Sequence, residues 1–124
     1  MHAAAEHREW MTGIRRHLHM HPERSGEELR TQARVMEELR GLGLEPRAIA
    51  GTGVLADLAV GGGDGPSILL RADIDALPLD EEETELNGSY RSRESGLMHA
   101  CGHDGHTAML LGAARVLLGE ARDM

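Results

Sequence analysis

The chain has 124 residues, 40% of them hydrophobic, with no Phe and only Trp10 and Tyr90 as large aromatics, so any core must be built from aliphatic side chains. Asp and Glu outnumber Lys and Arg by 21 to 13, a formal charge of −8, which argues against nucleic acid or an anionic membrane surface as a partner. No apolar run approaches the roughly 18 residues of a membrane span, and the single cysteine excludes an internal disulfide and fits a reducing, cytoplasmic setting.

Trp10, Ile14 and Leu18 recur every four residues and predict a helix over Ala3–Met20, ended by Pro22. His17, His19 and His21 follow at two-residue spacing, which rotates them onto different helical faces. They read as solvated or hydrogen-bonded histidines in preference to a second metal site. Ser25-Gly26-Glu27-Glu28 has the form of a capping box. Leu29, Ala33, Met36 and Leu39 then form an apolar stripe, with Gly41 and Gly43 as the stop. Strands are expected over Leu44–Ile49 and over Val54–Val60, where apolar and other residues alternate. Gly61–Pro66 reads as a hairpin loop, because no Lys-Ser/Thr or helix start follows to make it a phosphate loop.

Ser67–Leu70 is a short continuous apolar run, expected to be a strand covered on both faces. The charges that follow, Arg71, Asp73 and Asp75, sit where open α/β sheets bind ligands. A structural ion-pair group accounts for them equally well. Asp80–Glu85 reads as a solvated acidic loop. Thr107–Leu118, with Leu110, Leu111, Ala114 and Leu117, reads as a helix. The order of elements predicts a mixed α/β unit.

Between these last segments lies Met98-His99-Ala100-Cys101-Gly102-His103-Asp104-Gly105-His106. Three imidazoles, the only thiol and a carboxylate fall within nine residues. Imidazole nitrogen and thiolate sulfur are favoured ligands of zinc-like cations, and the glycines allow tight backbone folding. Crowded imidazoles repel one another when charged, which favours a metal site over a solvated loop. A thiol activated by its histidine neighbours is the other reading.

Three segments taken together resemble a family. Arg15–Glu23, Arg71–Pro78 and Met98–Gly112 are similar to the amidohydrolase branch of the dinuclear aminoacylase/carboxypeptidase superfamily, which includes hippurate hydrolases, N-acyl-amino-acid amidohydrolases and auxin-conjugate hydrolases. The resemblance implies an α/β fold, part of a zinc-exopeptidase-like catalytic domain with a mixed sheet flanked by helices. It implies two divalent cations (Mn, Zn, Co or Ni) and hydrolysis of the amide bond of an N-acyl amino acid. It makes Cys101 and His103 metal ligands, and gives Asp75 the role of orienting a ligand side chain. Asp104 and His106 match the motif in supporting positions. Asp73 departs from the wider superfamily, which carries a histidine ligand there.

Family members are several-fold longer. The general base, further histidine ligands and an inserted dimerisation domain have no counterpart here. Residues 1–124 thus resemble the incomplete N-terminal third of a catalytic domain. The expectation is an inactive chain that self-associates, with homo-oligomeric full-length relatives. The alternatives are a metal-binding or interaction module without catalysis, and a redox protein acting through Cys101.

Overall fold

The computed structural model describes residues 3–122 as four helices and one hairpin: α1 (Ala3–Glu6), α2 (Arg8–Met20), α3 (Leu29–Gly41), β1 (Arg47–Ile49), β2 (Gly53–Leu55) and α4 (His103–Arg122). The α/β class holds. The first predicted helix is present but broken: His7 leaves helical geometry and its carbonyl accepts the Met11 amide at 3.0 Å, starting α2. Its predicted apolar face is the buried one, with Ile14 and Leu18 almost fully enclosed.

The capping box at Ser25 does not form. No side chain of the Glu28 N-cap residue reaches a free amide of α3. Glu23 does this instead: its carboxylate accepts Arg30 N at 3.1 Å, Thr31 N at 2.6 Å and the Thr31 hydroxyl at 2.7 Å. An acceptor arriving from outside the helix satisfies the same orphan N–H groups that an N-cap side chain would. The far end closes as predicted from the glycines. Gly43 has φ +89°, Gly43 N donates to Arg40 O and Leu44 N to Leu39 O, which is the paired pattern of a Schellman stop.

The sheet is smaller than the sequence pattern predicts. β1 and β2 pair antiparallel in the register Arg47↔Leu55, Ala48↔Val54 and Ile49↔Gly53, joined through Ala50 and Gly51, both at positive φ. A Cβ on Gly53 would lie 2.9 Å from Ile49 O, so the tight register requires glycine there. The Gln32 amide docks this hairpin on α3 by donating to Gly51 O and Gly53 O.

Beyond Leu55 the predicted alternating strand does not continue, and no hairpin forms around Gly61–Pro66. Ser67–Leu70 lies outside any strand, and its apolar side chains are open to solvent rather than covered on both faces. The physical reason is simple: no described strand pairs with it, and a strand without partners has neither ladder nor cover.

The core is aliphatic as expected. Ile14 and Leu18 of α2, Val35 and Leu39 of α3, and Ala108 and Leu111 of α4 form one cluster, with Trp10, Leu44, Val54 and Ala56 packed against it. Gly112 lets α2 and α4 approach closely, since a Cβ there would run into the Met11 side chain. The stripe of α4 is covered only in part: Leu111 is buried while Leu117 is exposed.

Candidate metal centre

The segment from Arg71 to Pro78 is held between the α2–α3 connection and the stretch ahead of α4. Ala76 N donates to Glu23 O at 2.8 Å, and Leu77 and Met98 exchange two backbone bonds of 2.9 and 3.0 Å. The Thr107 hydroxyl donates to Asp73 O at 3.0 Å, tying the segment to the first turn of α4. Glu23 therefore caps α3 with its side chain and registers the aspartate segment with its carbonyl.

These ties bring Asp75 and His103 together. His103 Nδ1 lies 2.9 Å from Asp75 Oδ1 and 3.1 Å from Asp75 O. Both are acceptors only, so Nδ1 carries a proton, and in the neutral ring Nε2 is the atom with the lone pair. Nε2 faces Asp73, whose Oδ2 is 3.9 Å away. Asp73 Oδ1 is paired with the Arg71 guanidinium. Asp73 thus belongs both to an ion pair with Arg71 and to the histidine's surroundings, while Asp75 pairs with His103 alone.

Cys101 is a free thiol on the surface. It precedes Gly102, whose φ of +84° turns the chain into α4. His106 is exposed, with its ring 5.9 Å from that of His103. Among the described residues, no three His, Cys, Asp or Glu side chains are grouped so as to hold one ion. His103 Nε2 and Asp73 Oδ2 suit a divalent cation in chemical type, but they are a partial donor set.

Next to the histidine lies a buried charge cluster that sequence reasoning missed. Asp104 is 1% exposed; its Oδ2 accepts from Arg15 Nε at 2.9 Å and from His19 Nδ1 at 2.8 Å. His19 Nε2 reaches both oxygens of Glu81 at 3.0 Å. Glu81 also accepts Ser92 N at 2.7 Å and the Asn87 amide at 2.9 Å. The acidic run is therefore not wholly a solvated face: Glu81 is its buried anchor.

Both His19 nitrogens face carboxylates, so both donate and the ring is an imidazolium. The hydrogen bond to Asp104 is the main cause that raises its pKa, burial opposes it, and Glu81 adds to the rise. Burial would raise the Asp104 carboxyl, but the His19 hydrogen bond and the Arg15 charge bring it below its usual value. Glu81 is lowered in the same way, by His19 and by the Ser92 amide against the effect of burial. The one signal in the sequence was Arg15 and His19 four apart beside the Ile14/Leu18 stripe.

His99 is also buried, with no hydrogen-bond partner at either ring nitrogen among the described residues. Burial is the main cause that lowers its pKa. Its ring lies 6.5 Å from that of His19.

Residues 69–123 match the model of peptidase family M20/M25/M40. The chain is 55% identical over 114 residues to the N-acetyl-L-cysteine deacetylase of Bacillus subtilis, covering 91% of this chain and 26% of that protein. The chain is thus similar to the M20 family in its C-terminal part and to N-acyl amino acid hydrolases over most of its length. It is also 46% identical over 110 residues to the IAA-amino acid hydrolase ILR1-like 2 of Arabidopsis thaliana, covering 88% of this chain and 24% of that protein.

Among solved structures, it superposes with a TM-score of 0.81 and 40% identity on the YXEP protein of Bacillus subtilis, described as a dinuclear metal binding peptidase from the M20 family. That match covers 92% of this chain and 31% of the other. The chain thus spans about a quarter of the length of the curated relatives it matches. No helix among the described residues is long and apolar enough to cross a membrane.

Proposed function

We propose that residues 1–124 are an incomplete N-terminal part of the catalytic domain of an M20 amidohydrolase that cleaves the amide bond of N-acyl amino acids in the cytoplasm. The observation that carries this reading is the Asp75–His103 pair, which fixes the imidazole tautomer and leaves Nε2 as a ligand atom facing Asp73. A carboxylate behind a metal-binding histidine is the common way to orient such a ligand.

In this reading His103 and Cys101 are metal ligands, Asp75 orients His103, and Asp104 holds the start of α4 in place. Two divalent cations, of Mn, Zn, Co or Ni, supply Lewis acidity and lower the pKa of coordinated water when bound. The general base and the remaining ligands lie outside this chain, which by itself binds a cation weakly and does not turn over. Longer relatives are homo-oligomers, and this chain self-associates.

Calorimetry with Mn²⁺, Zn²⁺ or Co²⁺ tests the ligand assignment. Cys101→Ala and His103→Ala each abolish stoichiometric binding, while His17→Ala leaves it intact. Binding that is unchanged in both cluster variants refutes the site. Metal-supplemented hydrolysis of N-benzoyl or N-acetyl amino acids tests the rest: the expected rate is background. Turnover that disappears in Cys101→Ala would mean the chain holds a complete site. A chain that takes up no metal but forms disulfide-linked products through Cys101 would favour the redox alternative.

A further inference from the structure

The histidines at 17, 19 and 21 part company in the structure. His19 turns inward to its two carboxylates. His17 and His21 stay together at the end of α2, both half-buried, with ring centroids 4.7 Å apart and 50° between the ring planes. Residues four apart are neighbours on a helix, so the spacing that separates three alternating histidines does not separate these two. Among the described residues the histidines engaged in ion pairs are His19 and His103, so no carboxylate competes for the nitrogens of His17 and His21.

Both rings stand on anchored backbone. His17 is flanked in α2 by Ile14 and Leu18, which are almost fully buried. His21 closes the helix, its N–H donating to Leu18 O at 3.2 Å, and the fully buried Pro22 follows it. A proline disfavours helical geometry in the residue before it, which fits the φ of −124° and ψ of 59° at His21. Ligand atoms on fixed backbone lose less freedom when an ion binds.

The charges around His17 are Arg34, Glu37 and Glu38 of α3 and His21 itself. Arg34 is tied to Glu38 at 2.9 Å, which leaves Glu37 to attract a cation. Burial is the main cause that lowers the His17 pKa, Arg34 and His21 add to it, and the two glutamates oppose it. The ring is therefore neutral at pH 7, the form that binds a metal.

We propose that His17 and His21 form a two-imidazole chelate for a divalent transition-metal ion, with Cu²⁺ the ion it holds most tightly. This goes beyond the enzymatic reading, uses none of its residues and does not rest on it. Two histidines four apart at one side of a helix are a recurrent metal-holding spacing. No third His, Cys, Asp or Glu among the described residues joins them, so water completes the coordination and the ion stays exchangeable. Affinity for such ligands climbs through the first-row series to Cu²⁺ and drops again at Zn²⁺. The pair therefore takes up Cu²⁺ where Mn²⁺, Co²⁺ and Zn²⁺ are not held stoichiometrically.

Copper binding is read in the full chain carrying His2→Ala, Cys101→Ala and His103→Ala. These changes remove the amino-terminal histidine, the two ligands assigned above and the thiol that would reduce Cu²⁺. Calorimetry is expected to show one Cu²⁺ per chain, and the electron paramagnetic resonance spectrum to carry hyperfine splitting from two imidazole nitrogens. His17→Ala and His21→Ala, each added to that chain, lower the affinity at least about tenfold and remove the two-nitrogen pattern, while His7→Ala does neither. Unchanged far-UV circular dichroism shows that each variant keeps its helices.

A second readout needs no substitution at the pair. Substoichiometric Cu²⁺ broadens the ring NMR signals of the histidines it binds, and those of His17 and His21 are expected to vanish before those of His7 and His106. An affinity indifferent to both His17→Ala and His21→Ala overturns the proposal, as does broadening that begins at another histidine.

Discussion

His19 Nδ1 lies 2.8 Å from Asp104 Oδ2, and this bond joins the last turn of α2 to the first turn of α4 across 85 positions of sequence. Because His19 Nε2 also meets Glu81, one imidazolium holds two helices and the acidic loop together. All three side chains are at most 5% exposed, so the charges are weakly screened by solvent.

Removing the central cation leaves two buried carboxylates short of a partner. His19→Gln is expected to destabilise the chain by about 3 kcal/mol, the lower end of the range for breaking a buried pair, since Arg15 still faces Asp104. The sign with pH follows from the shifts. His19 is raised, so its contribution is complete below about pH 6.5 and is lost as pH climbs through the raised folded value. Asp104 and Glu81 are lowered, so theirs is complete above about pH 4 and is lost as pH falls through the depressed values. Denaturant titrations of the native chain should therefore peak in mildly acidic solution, between those limits. Equal losses in His19→Gln at pH 5.5 and at pH 9 would contradict the imidazolium assignment.

Glu23 and Ser25 give a second contrast. Glu23→Ala removes the acceptor of two α3 amides and of the Thr31 hydroxyl, and is expected to cost about 1–2 kcal/mol, as for loss of an N-cap. Ser25→Ala touches no such bond and should stay within about 0.5 kcal/mol of the native chain. Thermal melts of the two variants decide it. A larger loss at Ser25 than at Glu23 would restore the capping box and remove Glu23 from that role.

These two cases show what could be read from the sequence. Periodicity placed the buried face of α2, because Ile14 and Leu18 lie on a local repeat. On α3 the expected stripe of Leu29, Ala33 and Met36 is not the buried face, which is Thr31, Val35 and Leu39. The glycine stop of α3 was legible because its bonds span a few residues. The cap of α3 was not, since Glu23 reaches it from beyond a turn and a nearer Ser-x-x-Glu match competes with it. Glu81 looks like any other acid in its run, and only a histidine 62 residues away distinguishes it. The expected strands after Leu55 failed differently: the alternation of Val54–Val60 and the apolar run of Ser67–Leu70 are real, but a strand needs a partner as well as a pattern. The pairing of Asp75 with His103 across 28 residues could be anticipated only through the family resemblance, because no local rule links them.

That pairing yields the last prediction. Asp75 accepts the Nδ1 proton of His103 through its carboxylate and its own carbonyl, so the variant must remove charge without removing the backbone acceptor. Asp75→Asn does this. If Asp75 orients a ligand, the variant should lose about 10–100-fold in Co²⁺ affinity, with a weaker absorption band in the bound state. His103 itself offers a readout that needs no metal. Nitrogen NMR of the native chain should show the Nδ1–H tautomer in large excess, and Asp75→Asn should shift the ring toward the mixture found in free histidine. A mutant with an unchanged tautomer would remove Asp75 from the orienting role whatever the metal data show. A changed tautomer with unchanged Co²⁺ affinity would separate the hydrogen bond, which the structure displays, from its proposed part in metal binding.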